Sequence, residues 1–141
     1  MLTEKDYCDY DTCVALKELG YKVPTSAYYM PHHKDLIWVS NPFRGGYVID
    51  CFYSHNSLPK DVMTANFIDA PTMWEAQKWL REEKNIQIEI PTSFMDNGVW
   101  KFNFRIQTPE FYDRAIGDWD SYEEALLEGI KEAIRILKEE K

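Results

Sequence analysis

Apolar residues recur at helical spacing in three stretches of the chain and at strand-like spacing between them. Tyr10, Cys13, Val14, Leu16 and Leu19 mark a first helix. Asp9 stands where an N-cap accepts from the first free amides, and Gly20 where a left-handed residue ends the helix. Met73, Ala76, Trp79 and Leu80 mark a second, opened by Thr72 with Glu75 three residues on and closing near Asn85. That opening is the capping-box pattern, in which each residue's side chain serves the other's amide. The third signal is the strongest: Tyr122, Ala125, Leu126, Ile130, Ala133, Ile134 and Leu137 follow the Ser121 to Glu124 cap at spacings of three and four. Its polar side offers Glu128 to Lys131 and Glu132 to Arg135 as ion pairs one turn apart.

Between the helices the period changes to two. Leu36-Ile37-Trp38-Val39 reads as a strand, and Tyr47 to Tyr53 as its hairpin partner across Asn41-Pro42 and Gly45-Gly46. Residues 21–35 and 54–71, interrupted by prolines, read as loops. Ile86, Ile88 and Ile90 alternate with polar residues and continue to Phe94; Trp100, Phe102, Phe104 and Ile106 alternate after Asp96-Asn97-Gly98. A two-residue turn at Asn97-Gly98 would pair even positions with odd ones and set the two apolar faces on opposite sides of the sheet. A three-residue loop, Asp96 to Gly98, instead sets Phe94 against Trp100, Ile90 against Phe104 and Ile88 against Ile106. It requires Gly98 in the left-handed region.

Strand, glycine-containing turn, strand, loop and capped helix occur in the same order over 36–84 and 86–138. With a chain of 141 residues, this predicts one α+β domain spanning 1–141, with one core. Its sheet would be four-stranded and largely antiparallel, built in two layers from two hairpin–helix units (ββα-ββα) behind an N-terminal helix.

Composition narrows the chemistry. The formal charge is −8, from 16 basic and 24 acidic residues. Residues 1–20 carry five acids and two bases, 21–109 nine of each, and 110–141 ten acids and five bases, so the excess lies at the two ends. Acidic surfaces repel phosphate backbones, which argues against nucleic acid as a partner but permits an acidic mimic of nucleic acid that occupies another protein's basic groove. Cys8, Cys13 and Cys51 form no C-x-x-C pair and read as reduced, packed thiols. No apolar run has bilayer length, and Met1 to Asp6 has no signal-peptide core; both predict a cytoplasmic protein without a membrane partner.

Catalytic patterns are weak. His32, His33 and Asp35, with Cys51 and His55, could be taken for metal ligands, but adjacent histidines on an extended chain diverge, and a loop pair explains them better. Arg44-Gly45-Gly46 precedes a strand, whereas phosphate loops precede a helix. No G-x-S-x-G occurs, and no Ser, Thr or Cys has a recognisable base. No cofactor, metal site or catalytic residue is therefore assigned. Five Trp, nine Tyr and seven Phe are more suggestive. Tyr28, Tyr29, Phe111 and Tyr112 fall outside the strong periodic elements, and loop aromatics are common at protein interfaces. These four are the candidate protein-binding residues.

Pro71-Thr72, Ala76-Gln77-Lys78-Trp79-Leu80-Arg81-Glu82 and Tyr122-Glu123-Glu124-Ala125, with Tyr10 to Gly20 ahead of them, resemble a group of short uncharacterised proteins encoded by Bacteroides and their prophage-like elements. The resemblance implies a bacterial or phage cytoplasmic setting and brings no activity or catalytic residue with it. The expectation is a non-catalytic accessory domain that binds another protein or a copy of itself. An enzyme or small-ligand-binding protein with an unrecognised pocket, and an acidic nucleic-acid mimic, are the alternatives.

Overall fold

A computed structural model describes residues 4–23, 25–29, 36–39, 49–50, 68–95, 97–110 and 112–139. The candidate positions His32, His33, Asp35, Arg44 to Gly46, Cys51, His55 and Phe111 lie outside them. The architecture is α+β, with three α-helices among the described residues and antiparallel strand pairing. The chain divides into two compact units, Met1–Thr72 and Met73–Lys141.

The first unit begins with a 3-10 turn, Glu4–Asp6, followed by α1, Tyr10–Glu18. Asp9 caps α1 as expected, its carboxylate accepting from the Thr12 amide at 2.9 Å. At the other end Gly20 takes φ +99°, and the amides of Gly20 and Tyr21 donate back to the carbonyls of Lys17 and Leu16. This is the Schellman closure, in which a left-handed residue lets the chain satisfy the last free carbonyls. Tyr21 and Leu16, the residues such a closure brings together, are both buried.

Four strands, β1 (Ala27–Tyr29), β2 (Leu36–Val39), β3 (Ile49–Asp50) and β4 (Ile68–Asp69), form an antiparallel sheet in the order β3-β2-β1-β4. The β2–β3 hairpin agrees with the predicted pairing of 36–39 with the following strand; β1 and β4 fall in stretches that read as loops. β1 lies between β2 and β4, and Ala27, Tyr28 and Tyr29 are all buried. A strand buried on both faces shows no alternation, which removes the signal used to find it. Helix α1 packs on β4.

The second unit opens with α2, Met73–Glu83, whose predicted apolar face of Met73, Ala76, Trp79 and Leu80 is buried. It also ends on a left-handed residue, Asn85 at φ 56°, and the Ile86 amide beyond it donates to the Leu80 carbonyl at 3.0 Å. Strands β5 (Gln87–Glu89), β6 (Thr92–Phe94), β7 (Trp100–Gln107) and β8 (Tyr112–Trp119) follow, then α3, Tyr122–Glu139. Both β5 and β6 pair with β7 in one continuous register: Ile88 faces Ile106 and Phe94 faces Trp100. Between them the Pro91 carbonyl accepts from the Asn103 amide at 2.9 Å. Gly98 sits at φ +81°, as the three-residue loop requires.

The second sheet differs from the expected hairpin in one respect: β7 is central, with β8 on its other side. Thus, among the described residues, two sheets occur where the hairpin–helix order predicted a single one of four strands, because each hairpin recruits strands that its own sequence does not announce. In β8 the pattern is broken by a bulge. Phe102 pairs with Trp119 but Phe104 with Ala115, so residues 116–118 face Asn103 alone. The Asn103 side-chain oxygen fills the gap by accepting from the Gly117 amide at 3.1 Å. A Cβ on Gly117 would lie 2.3 Å from the Trp119 ring, so glycine is what allows that ring to fold back.

Helix α3 packs on β7 and touches the flanking β5 and β8; α2 packs on β5 and α3. The Ser121 hydroxyl caps α3 by accepting from the Glu124 amide at 3.1 Å. Its buried face contains Ala125, Leu126, Gly129, Ile130, Ala133, Ile134 and Ile136. Both predicted ion pairs form on the outer face, Glu128 with Lys131 and Glu132 with Arg135, and Arg135 also reaches Glu139.

Candidate functional site

Even-numbered positions of the β5/β6–β7 ribbon share one face, and that face is apolar along much of its length. At the end under α3, Ile88, Phe104 and Ile106 are buried. The helix comes close there, since a Cβ on Gly129 would meet Ile88 Cγ2 at 2.9 Å and Phe104 Cβ at 3.3 Å. One step along, Phe102 is half-buried against Tyr122, the first residue of α3, with ring centroids 6.3 Å apart. Beyond Tyr122 the helix has ended but the ribbon has not. On this face Phe94 is 62% exposed and Trp100 54%; Val99, an odd position turned to the other face of the tip, is 47% exposed.

Those three side chains sit at the hairpin tip. Phe94 and Trp100 are directly opposite each other, and their rings meet edge to face with centroids 5.0 Å apart. The backbone beneath is held by Met95, whose amide donates to the Val99 carbonyl at 3.0 Å and whose carbonyl accepts from Gly98 at 2.9 Å. The Asn97 side-chain oxygen accepts from the Val99 amide at 3.2 Å. Two rings fixed in mutual contact on a hydrogen-bonded turn lose little conformational freedom when they are covered, which favours binding. Residues 90–100 carry one charge, Asp96. What this surface can do chemically is desolvate against another apolar surface.

The predicted binding residues lie elsewhere. Tyr28 and Tyr29 are in β1, not on a loop, at 3% and 4% exposure, so their rings fill the interior of the first unit instead of facing a partner. The Tyr29 hydroxyl donates to the Cys8 carbonyl at 3.1 Å, and burial pushes its pKa up. Tyr112 begins β8, and Phe111 is outside the described residues. Phe94 and Trp100 were legible as a facing pair, but their exposure was not.

The first unit carries an open depression of about 360 Å³ lined by Glu4, Tyr7, Asp9, Tyr10, Asp11 and Tyr29. Tyr10 and Tyr29 meet edge to face at 5.6 Å. In the second unit, Lys84, Asn85, Ile86, Thr108, Pro109, Glu110 and Leu137 line a smaller one of about 220 Å³. Cys8 and Cys13 are free and fully buried; the Cys13 thiol contacts the Cys8 carbonyl at 3.5 Å. Its hydrogen bonding to Cys8 and its burial raise its pKa, which keeps it a thiol and a poor nucleophile. Among the described residues no three His, Cys, Asp or Glu side chains converge to hold a metal ion, and no helix is long and apolar enough to cross a membrane.

Comparison with protein-family models, curated proteins and solved structures finds no match to this chain.

Proposed function

We propose that the chain is a non-catalytic accessory domain that binds another protein, a different chain or a copy of itself, and that Phe94 and Trp100 make the contact. The observation that supports this reading is the apolar stripe of the second sheet, which runs on past the helix that covers it and ends in two exposed, mutually packed aromatic rings. Aromatic anchors of this kind carry a disproportionate share of interface energy, often ~2 kcal/mol or more for one side chain. As a scaffold for that tip we infer the two-layer hairpin–helix arrangement, with helices behind one face of a sheet. The cytoplasmic bacterial or phage setting rests on the sequence resemblance.

The test is capture by immobilised wild type and by a Phe94→Ser, Trp100→Ser double variant from lysate of the cell that encodes the chain. Both substituted side chains are largely exposed, so the variant should still fold cooperatively and lose only the ring–ring contact, about 1 kcal/mol, while the captured protein should be lost. A variant that captures the same protein equally well would refute the reading.

A small-ligand reading draws on the depression beside α1, where Glu4, Asp9 and Asp11 offer charge and the part-exposed Tyr10 offers a ring to an organic cation. Titration with a quaternary ammonium probe, followed by tyrosine fluorescence, tests it; no saturable change would remove it. The acidic-mimic reading draws on the charge of the chain ends, although Glu128, Glu132 and Glu139 of α3 are each paired with a base.

A further inference from the structure

We propose that the partner at the hairpin tip is a second copy of this chain, joined by antiparallel pairing of β6 with β6 about a two-fold axis through Ser93. This rests on the reading of the tip as a docking surface, and the direction of the backbone groups carries it further.

Along the β5/β6 arm, odd positions turn their amides and carbonyls toward β7: Pro91 accepts from Asn103, and Met95 donates to Val99. Even positions therefore turn theirs outward. At Ile88 the outward carbonyl is closed off by α2, because Gln77 Nε2 donates to it at 2.8 Å. At Thr92 and Phe94, among the described residues, neither a strand nor a side chain closes the outer edge. The side chains of Thr92, Ser93 and Phe94 are all exposed.

Proteins usually protect such an edge with a charge, or with a proline whose missing N–H faces solvent. Neither guard is present. Pro91 is on the arm, but its missing N–H is on the β7 side, so it weakens the internal ladder and leaves the outer edge open. The only charge in 90–100 is Asp96, in a chain of net charge −8. A basic partner would be drawn to the acidic ends of the sequence, whereas this strip offers it nothing. For two like-charged copies, a neutral strip is where close approach costs least.

The strip is also self-complementary, as a two-fold contact demands. With Ser93 on the axis, Thr92 of one copy lies opposite Phe94 of the other. Each such pair exchanges two N–H to carbonyl bonds. The second sheet then continues across the interface, and Phe94 and Trp100 of both copies gather on one face, where each copy's α3 has ended.

Sedimentation of the full chain from low micromolar to near-millimolar concentration is the experiment, with Thr92→Pro as the variant. Thr92 turns its N–H outward, so proline there removes an edge donor while leaving the β6–β7 bonds and both aromatic rings in place. Wild type should pass from one chain to two, and Thr92→Pro should weaken that association at least about tenfold. Hydrogen exchange on wild type gives an independent readout if the variant folds poorly: the Thr92 and Phe94 amides should slow as concentration rises. A mass of one chain throughout, exchange independent of concentration, or a folded Thr92→Pro dimer as tight as wild type would each overturn the proposal. If wild type is monomeric yet lysate capture still depends on Phe94 and Trp100, the partner is a different protein and the docking reading survives. If capture is insensitive to those residues as well, both fall.

Discussion

Replacing Gly129 by alanine sets two effects of similar size against each other. Alanine is the better helix former, by about 0.8–1.0 kcal/mol in a helix interior. At this position, however, the added Cβ would stand 2.9 Å from Ile88 Cγ2 and 3.3 Å from Phe104 Cβ, against a comfortable carbon–carbon separation of about 3.5–4.0 Å. Neither neighbour yields easily. Phe104 Cβ is attached directly to the backbone of central strand β7, and Ile88 Cγ2 is a branch methyl that moves only if χ1 leaves its well. Forcing an extra methyl into a packed interface costs about 1–3 kcal/mol. The expected net loss is therefore about 1 kcal/mol, which for a chain of this size lowers Tm by roughly 3 °C. Urea unfolding of wild type, Gly129→Ala, Ile88→Ala and the double variant isolates the clash. Ile88→Ala removes the offending methyl, so alanine at 129 should harm that background less, with a coupling of at least about 0.5 kcal/mol. A Gly129→Ala protein more stable than wild type, or strictly additive effects, would show that α3 can shift away from the sheet and that the close approach constrains nothing.

Gly98→Val should cost about 1–2 kcal/mol, since a β-branched side chain resists the left-handed backbone at φ +81°; melting behaviour like wild type would contradict the loop geometry. Asp69 gives a pH-dependent case. Burial raises its pKa, opposed by Lys17 and by a hydrogen bond from Thr25. A carboxyl whose folded pKa lies above its unfolded one favours folding most at low pH, and that contribution is lost as pH rises through the folded value. Asp69→Asn should therefore gain on wild type in urea midpoint as pH rises toward neutrality and lose the advantage below about pH 4; a gap constant over that range would refute the assignment.

Local signals accounted for much of the fold. The Asp9 and Ser121 caps, the Gly20 stop, the apolar face of α2 and the ion pairs of α3 depend on residues a few positions apart, so the chain declares them without its tertiary context. The register of the long hairpin was legible for a related reason. Requiring both apolar faces to agree leaves a single loop length, and that places Phe94 opposite Trp100.

Strands identified by their partners were less visible. β1 is hidden because both faces are buried, and β8 because residues 116–118 bulge against Asn103 and break the alternation. Misreading β1 as a loop is what made Tyr28 and Tyr29 look like surface aromatics. Exposure of Phe94 and Trp100 is likewise a tertiary property. Their alternation with polar residues is the same as that of Phe104 and Ile106, and only the position of Tyr122, where α3 begins, separates the covered end of the stripe from the open one. Spacing along a chain determines which side chains share a face; whether water reaches that face depends on what distant residues bring to cover it.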